Sequence, residues 1–275
     1  MAKYLLPTAL VLTISSPVLS LWAAPASEFW PYWQSYNAQN TAHINHSGWQ
    51  SFLGKNVKDS PSLDMYAVDY KNVSAADKKM LANYIQETTA IDPRQYNRAE
   101  QLAYWINLYN ALTVDLILKN YPVQSITKLG NSWFAVGPWN DPITTVAGQK
   151  ITLNDIEHRI IRPIWNDPRI HYGLNCASIG CPDLLPHAYT GQNSNQLLDL
   201  AGERFVNAPK GVTFNGSELE LSKIYNWYGV DFGSNQLEIL AEIAKFAEPV
   251  LQQRLLGYNG SIEYQYDWDL NQYQP

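Results

Sequence analysis

A chain of 275 residues with 19 basic and 25 acidic side chains carries a net charge of −6 at pH 7, and its basic residues form no cluster. That balance argues against nucleic acid and anionic lipid as partners, because both are held by concentrated Lys and Arg. The 10 Trp and 18 Tyr are scattered along the chain, which reads as core and core-edge packing; a sugar-binding protein calls instead for a surface row of such rings.

The N-terminus reads as an export signal. Lys3 supplies the positive start, an apolar stretch interrupted by Pro7 and Pro17 runs from Tyr4 to Trp22, and Ala24-Pro25-Ala26 fits the small-x-small cleavage rule. The expectation is therefore a signal peptide over 1–26 and a periplasmic or secreted protein over 27–275, with no integral membrane span after signal removal. No internal repeat or low-complexity linker divides the remainder, so a single domain is expected, with an aromatic, irregular wrapping segment over 27–70.

Ser74-Ala75-Ala76-Asp77 is an N-cap with an acid in the first turn, and predicts a helix to about Thr89, ended by Asp92-Pro93. Asn97-Arg98-Ala99-Glu100 resembles a capping box and opens a second helix to about Asn120, where Tyr121-Pro122 stops it. Its apolar residues cover nearly the whole circumference, which marks a central, buried helix. Asn107 and Asn110 share one face of it, and buried amides need partners, such as a neighbouring loop. A hairpin follows, Ile143–Val146 and Lys150–Leu153 around Ala147-Gly148-Gln149. Thr152 or Asn154 then caps a helix carrying Glu157 and His158, and Arg169–Asn175 reads as a strand. Further on come a helix over about Asn195–Val206, a hairpin through Asn215-Gly216 returning along Leu219–Leu221, a short helix near Lys223–Tyr228, a long helix over Asn235–Leu255, and a final strand over Ile262–Trp268. The mixed order makes the class α+β: a central buried helix, short β-hairpins and surrounding helices.

The chemistry centres on the only two cysteines, Cys176 and Cys181. A Cys176–Cys181 disulfide is the structural reading and suits an oxidising compartment. In the catalytic reading Cys176 is a nucleophile, activated by a base and by backbone amides of the small residues that follow. His171 lies five residues before Cys176, about 16 Å away in an extended strand and on the opposite face. His158, on the preceding helix, is the preferred base, with His171 second. Glu157 points about 100° away from His158 on an α-helix, a poor orienter for it, although it can serve another group. Asn110 is a supporting residue. His43-Ile44-Asn45-His46 reads as solvated loop histidines and His187 as loop decoration, so no metal is expected. With no Gly-rich phosphate loop and no Gly-x-Ser-x-Gly elbow, no cofactor is expected either.

Three long motifs carry a family resemblance: Tyr104–Thr113, Leu153–Arg162 and Asp167–Ser178. With Leu221–Tyr228 and Tyr266–Asn271, they make the chain similar to the domain-of-unknown-function 547 family over roughly 100–271. Gly173 stands where similar sequences often carry alanine. The family has no assigned general activity, but the resemblance implies that Glu157-His158 and His171…Cys176 belong to one site region. By analogy, a papain-like or transglutaminase-like fold suits such a constellation. The leading expectation is a cysteine-dependent acyl-transfer enzyme or hydrolase acting on peptide, amide or ester bonds, with an unknown small-molecule or peptide ligand. The competing expectation is a non-catalytic envelope binding or scaffolding module stiffened by the disulfide.

Overall fold

The structure, a computed structural model, describes residues 25–130 and 137–275. The export-signal expectation thus falls almost wholly on residues outside the description. In chain order, α1 (Ser47–Asn56) leads into the hairpin β1 (Val57–Ser60) and β2 (Met65–Val68), followed by α2 (Ala75–Thr89) and α3 (Arg98–Asn120). The hairpin β3 (Thr144–Val146) and β4 (Gln149–Ile151) precedes a π-helix over Asp155–Ile161, which runs on into α4 (Arg162–Trp165) and is followed by α5 (Ile170–Gly173). The remainder comprises α6 (Ser194–Asn207), β5 (Val212–Asn215), β6 (Glu218–Ser222), α7 (Ile224–Trp227), α8 (Gly229–Phe232), α9 (Gln236–Ala244), α10 (Pro249–Leu256) and β7 (Ile262–Gln265). The class is α+β, with two antiparallel hairpins and a three-stranded sheet in which β7 runs parallel to β6. Among the described residues no helix is long and apolar enough to cross a membrane.

Helix α3 joins two apolar clusters. Its first half, from Leu102 to Tyr109, enters the larger one, and Ala111, Val114, Ile117 and Leu118 enter the smaller. The helix starts where the local code places it, with Asn97 Oδ1 accepting from the Glu100 amide at 3.1 Å. Glu100 does not close a capping box. Its buried carboxylate accepts instead from the Ile44 amide at 2.9 Å and pairs with His43 Nδ1 at 2.8 Å. Together with the edge-on packing of Trp33 against Trp105, centroids 5.0 Å apart, this ties the 27–70 segment to the start of α3.

The two buried amides of α3 each clamp a distant backbone. Asn107 donates to Tyr189 O at 2.7 Å and accepts from Tyr189 N at 3.0 Å. Asn110 donates to Gly173 O at 2.9 Å and accepts from Asn175 N at 2.8 Å, so it fixes the approach to Cys176. Leaving any of these groups unpaired would cost about 1–3 kcal/mol each.

Four parts of the chain differ from the sequence reading. The 27–70 segment, expected to be irregular, holds α1 and the β1–β2 hairpin. The strand expected over Arg169–Asn175 is a turn and the short helix α5. Asp167 Oδ1 accepts from the Arg169 amide at 2.9 Å, and the Arg169 guanidinium folds back onto the same carboxylate, which bends the chain. Residues 170–175 are all buried, so no alternation separates a buried strand from a buried turn. The extended-strand separation of His171 and Cys176 therefore does not apply. The long helix expected over Asn235–Leu255 is two helices, because Pro249 cannot continue the first and restarts the second from its N1 position. The final strand stops at Gln265, where the backbone leaves β6 and pairs with the cysteine loop: Gly180 N donates to Asp267 O and Ile179 N to Asp269 O, both at 2.8 Å.

Candidate active site at Glu157

Thr152 and Asp155 cap the π-helix reciprocally. Thr152 N and Oγ1 donate to Asp155 Oδ2, and the Asp155 amide donates to Thr152 Oγ1. The widened turn has an identifiable cause. Pro163 has no N–H for the Arg159 carbonyl, and the Arg162 amide reaches back five residues to Glu157 O. Two carbonyls are left free, and the N-terminal segment takes both: Glu28 N donates to His158 O and Trp30 N to Arg159 O, each at 3.0 Å.

Widening the turn lets neighbouring side chains face inward together, and Glu157, His158 and Arg162 are all buried. Glu157 Oε1 lies 3.9 Å from His158 Nδ1 and 3.8 Å from His171 Nδ1, between the two rings and beyond hydrogen-bond length from either. The α-helical expectation that Glu157 points away from His158 is thereby corrected. Tyr109 Oη donates to Glu157 Oε2 at 3.3 Å, and the Tyr228 hydroxyl faces the same carboxylate. Burial, with Glu157 adding to it, pushes both phenols well above their ordinary range, so they stay protonated as donors.

The preferred base, His158, is placed otherwise. Its Nδ1 accepts from Arg162 Nη1 at 3.2 Å, and burial, aided by the charge of Arg162, lowers its pKa and keeps it neutral. That lone pair is already used. His171 is the opposite case. Its Nε2 is 2.7 Å from Asp231 Oδ2, its ring stacks on Tyr228 with centroids 4.1 Å apart, and its buried Nδ1 has no hydrogen-bond partner among the described residues. Asp231 also accepts from Arg162 Nε at 2.7 Å and Nη2 at 3.1 Å. Burial opposes its ionisation, yet the hydrogen bonds from His171 and Arg162 outweigh that and hold its carboxyl far below the usual range. An ionised carboxylate only accepts, so His171 Nε2 carries the donated proton.

Cys176 and Cys181 form a disulfide with Cα atoms 6.2 Å apart, which settles the pairing left open by the sequence. The loop is held on every side. Asn175 Oδ1 accepts from Ala177 N and Asn271 Nδ2, Asn175 Nδ2 donates to Pro182 O, and Lys210 Nζ donates to Cys181 O. Ala177 sits at φ +61°, a left-handed conformation that costs a non-glycine residue about 1–2 kcal/mol. Tyr266 Oη lies 3.0 Å from Cys176 Sγ, 3.2 Å from Cys181 Sγ and 2.9 Å from Ser178 Oγ. Among the described residues, no imidazole hydrogen-bonds to either sulfur, so neither His158 nor His171 is placed as a base for Cys176.

Sequence reasoning missed Asp231, Tyr109, Tyr228, Arg162 and Tyr266. Asp231 is the one acid between Leu221 and Gln236, an isolated charge in an aromatic stretch, and that was a readable signal. The histidines of 43–46 are corrected in part: His46 is buried, bonded through Nδ1 to Tyr84 Oη at 2.8 Å, and burial lowers its pKa to about 4. Among the described residues, no group of three or more His, Cys, Asp or Glu side chains is arranged to hold a metal.

Residues 93–206 match the family model described as "Protein of unknown function, DUF547", so this span of the chain is similar to that family. The span contains Asn110, Glu157, His158, Arg162, His171 and the cysteine pair, and excludes Tyr228, Asp231 and Tyr266. No curated protein and no solved structure was found to match, so the papain-like analogy has no structural neighbour behind it.

Proposed function

We propose that the protein is an exported enzyme whose chemistry is proton transfer at Glu157 and His171, with the Cys176–Cys181 bridge as a structural staple. The observation that carries this reading is the bare Nδ1 of His171, buried and facing Glu157 at 3.8 Å. Buried polar atoms are almost always hydrogen-bonded, and an exception calls for an explanation. Asp231 fixes the ring by its other nitrogen, which leaves Nδ1 free to take or give a proton. A lone pair opposite a carboxylate at this distance is satisfied by a donor held between them, or by a proton on either. That arrangement suits a hydroxyl-bearing or water nucleophile. Tyr109 and Tyr228 steady the carboxylate, and Tyr228 steadies the His171 ring. The disulfide supports export, since such bonds persist in oxidising compartments.

Nitrogen-15 NMR of the histidine rings tests the proton placement. His171 is expected to show a protonated Nε2 and an Nδ1 without a fixed proton. A stable Nδ1 proton with a bare Nε2 overturns the assignment.

A further inference from the structure

We infer that Trp139, Trp227, Tyr266 and Trp268 form a stacking platform for a neutral glycan chain, laid against the Glu157 site. Scattered in sequence, these rings meet in space. Tyr266 and Trp268 have centroids 4.6 Å apart, Trp227 lies 4.8 Å from Tyr266 and 5.7 Å from Trp268, and Trp139 lies 5.7 Å from Trp268. All four are partly exposed, although the fold elsewhere buries Trp33, Trp49 and Trp105 completely.

The platform is joined to the site through three hydroxyls. Trp139 lies within the electrostatic reach of the Tyr109 hydroxyl, which donates to Glu157. Trp227 precedes Tyr228, whose hydroxyl faces Glu157, and the Tyr266 hydroxyl lies within the electrostatic reach of the same carboxylate. The rings thus lie outside the buried Glu157, with the hydroxyls of Tyr109, Tyr228 and Tyr266 between them and the carboxylate.

The chemistry of the occupant follows from what the rings exclude. At these separations the rings touch one another, so no cage remains between them for a quaternary ammonium group. The rings are tilted 33–63° to one another, so only the parts of each ring turned to solvent are available. The flanking residues Asn226, Asp267 and Asp269 are exposed, and two of them are acids, which repel an anionic ligand and exclude a phosphate backbone. A pyranose fits: its C–H faces are apolar and lie flat on an aromatic ring, while its hydroxyls point outward to carboxylate and amide acceptors. That the glycan is also the substrate rests on the acid–base reading above.

Titration of intrinsic tryptophan fluorescence with cellohexaose and chitohexaose tests the platform. The wild-type protein is expected to give a saturable change with at least one of them. Trp227→Ala is expected to weaken binding about tenfold, the size of one lost aromatic contact, and Trp227→Phe to restore most of it. Melting curves of each variant separate lost binding from lost folding, and ligand-detected NMR on the wild-type protein needs no variant. Absence of saturable binding to both sugars, equal binding by Trp227→Ala, or tighter binding of choline than of either sugar overturns the inference. The two readings fail separately. Sugar binding by a Glu157→Gln protein with undiminished turnover leaves the platform and removes the acid–base site. Loss of turnover in Glu157→Gln without sugar binding by the wild type does the reverse.

Discussion

Replacing Asp231 with alanine strips a buried arginine of its only carboxylate partner among the described residues. Arg162 is 3 % exposed at its side chain and Asp231 21 %, and two hydrogen bonds of 2.7 and 3.1 Å join them. Breaking such a pair from one side leaves an uncompensated buried charge, worth about 3–5 kcal/mol. His171 Nε2 loses its acceptor in the same step, and because the three groups form one network the losses overlap and do not sum. In a chain of this size, about 2–4 °C of melting temperature follows each kcal/mol, so Asp231→Ala is expected to melt about 6–20 °C below the wild type at pH 7. Asp231→Asn keeps one acceptor oxygen and should fall between the two. The sign of the pH dependence is fixed by the depressed carboxyl of Asp231. Its contribution is present above the ordinary carboxylate range and fades as pH falls toward its folded value, so the gap between variant and wild type narrows in strong acid. A calorimetric melting point for Asp231→Ala within about 2 °C of the wild type at pH 7 refutes the argument that this ion pair organises the site.

Other expectations rest on separate residues. Intact-mass thiol counting should find no free thiol before reduction and two after it, and Cys176→Ser with Cys181→Ser should cost about 2 kcal/mol in denaturant titrations, from the closure of so short a loop; a free thiol in the unreduced protein contradicts the bridge. His46 has a pKa lowered from 6.5 to about 4, so the unfolded chain binds its proton first. Stability should therefore fall as pH drops from about 6.5 to about 4, by up to about 3 kcal/mol, and His46→Gln should flatten that stretch of the curve. An unchanged slope in the variant contradicts the burial argument.

What could be read from sequence was whatever side chains write locally. Ser74 Oγ accepts from the Asp77 amide and Asn97 Oδ1 from Glu100, as the cap patterns predict, and α2 and α3 begin where those caps place them. The Asn215-Gly216 signal placed the β5–β6 hairpin, and the all-round apolar pattern placed α3 at the centre. Asn110 was expected to fix a neighbouring loop, and it holds the backbone on both sides of Leu174. The site was only half legible. Glu157, His158 and His171 were singled out, but the choice of His158 as base assumed α-helical geometry and a strand at 169–175. Pro163 alters the first, and Asp167 the second. Asp231 and Tyr266 lie 60 and 88 positions away from the groups they hold, His171 and Ser178, and no periodicity reports a pairing of that range.

The most direct test of the central claim compares turnover in two variants on a panel of chromogenic esters, amides and glycosides. For whichever substrate the wild-type protein cleaves, Glu157→Gln is expected to lose about 100-fold or more in kcat, the ordinary contribution of a positioned acid or base. The double Cys176→Ser, Cys181→Ser protein is expected to retain kcat within about twofold below its melting point, since a staple carries no proton. Full activity in Glu157→Gln together with an inactive double-serine protein contradicts the account and returns the chemistry to sulfur.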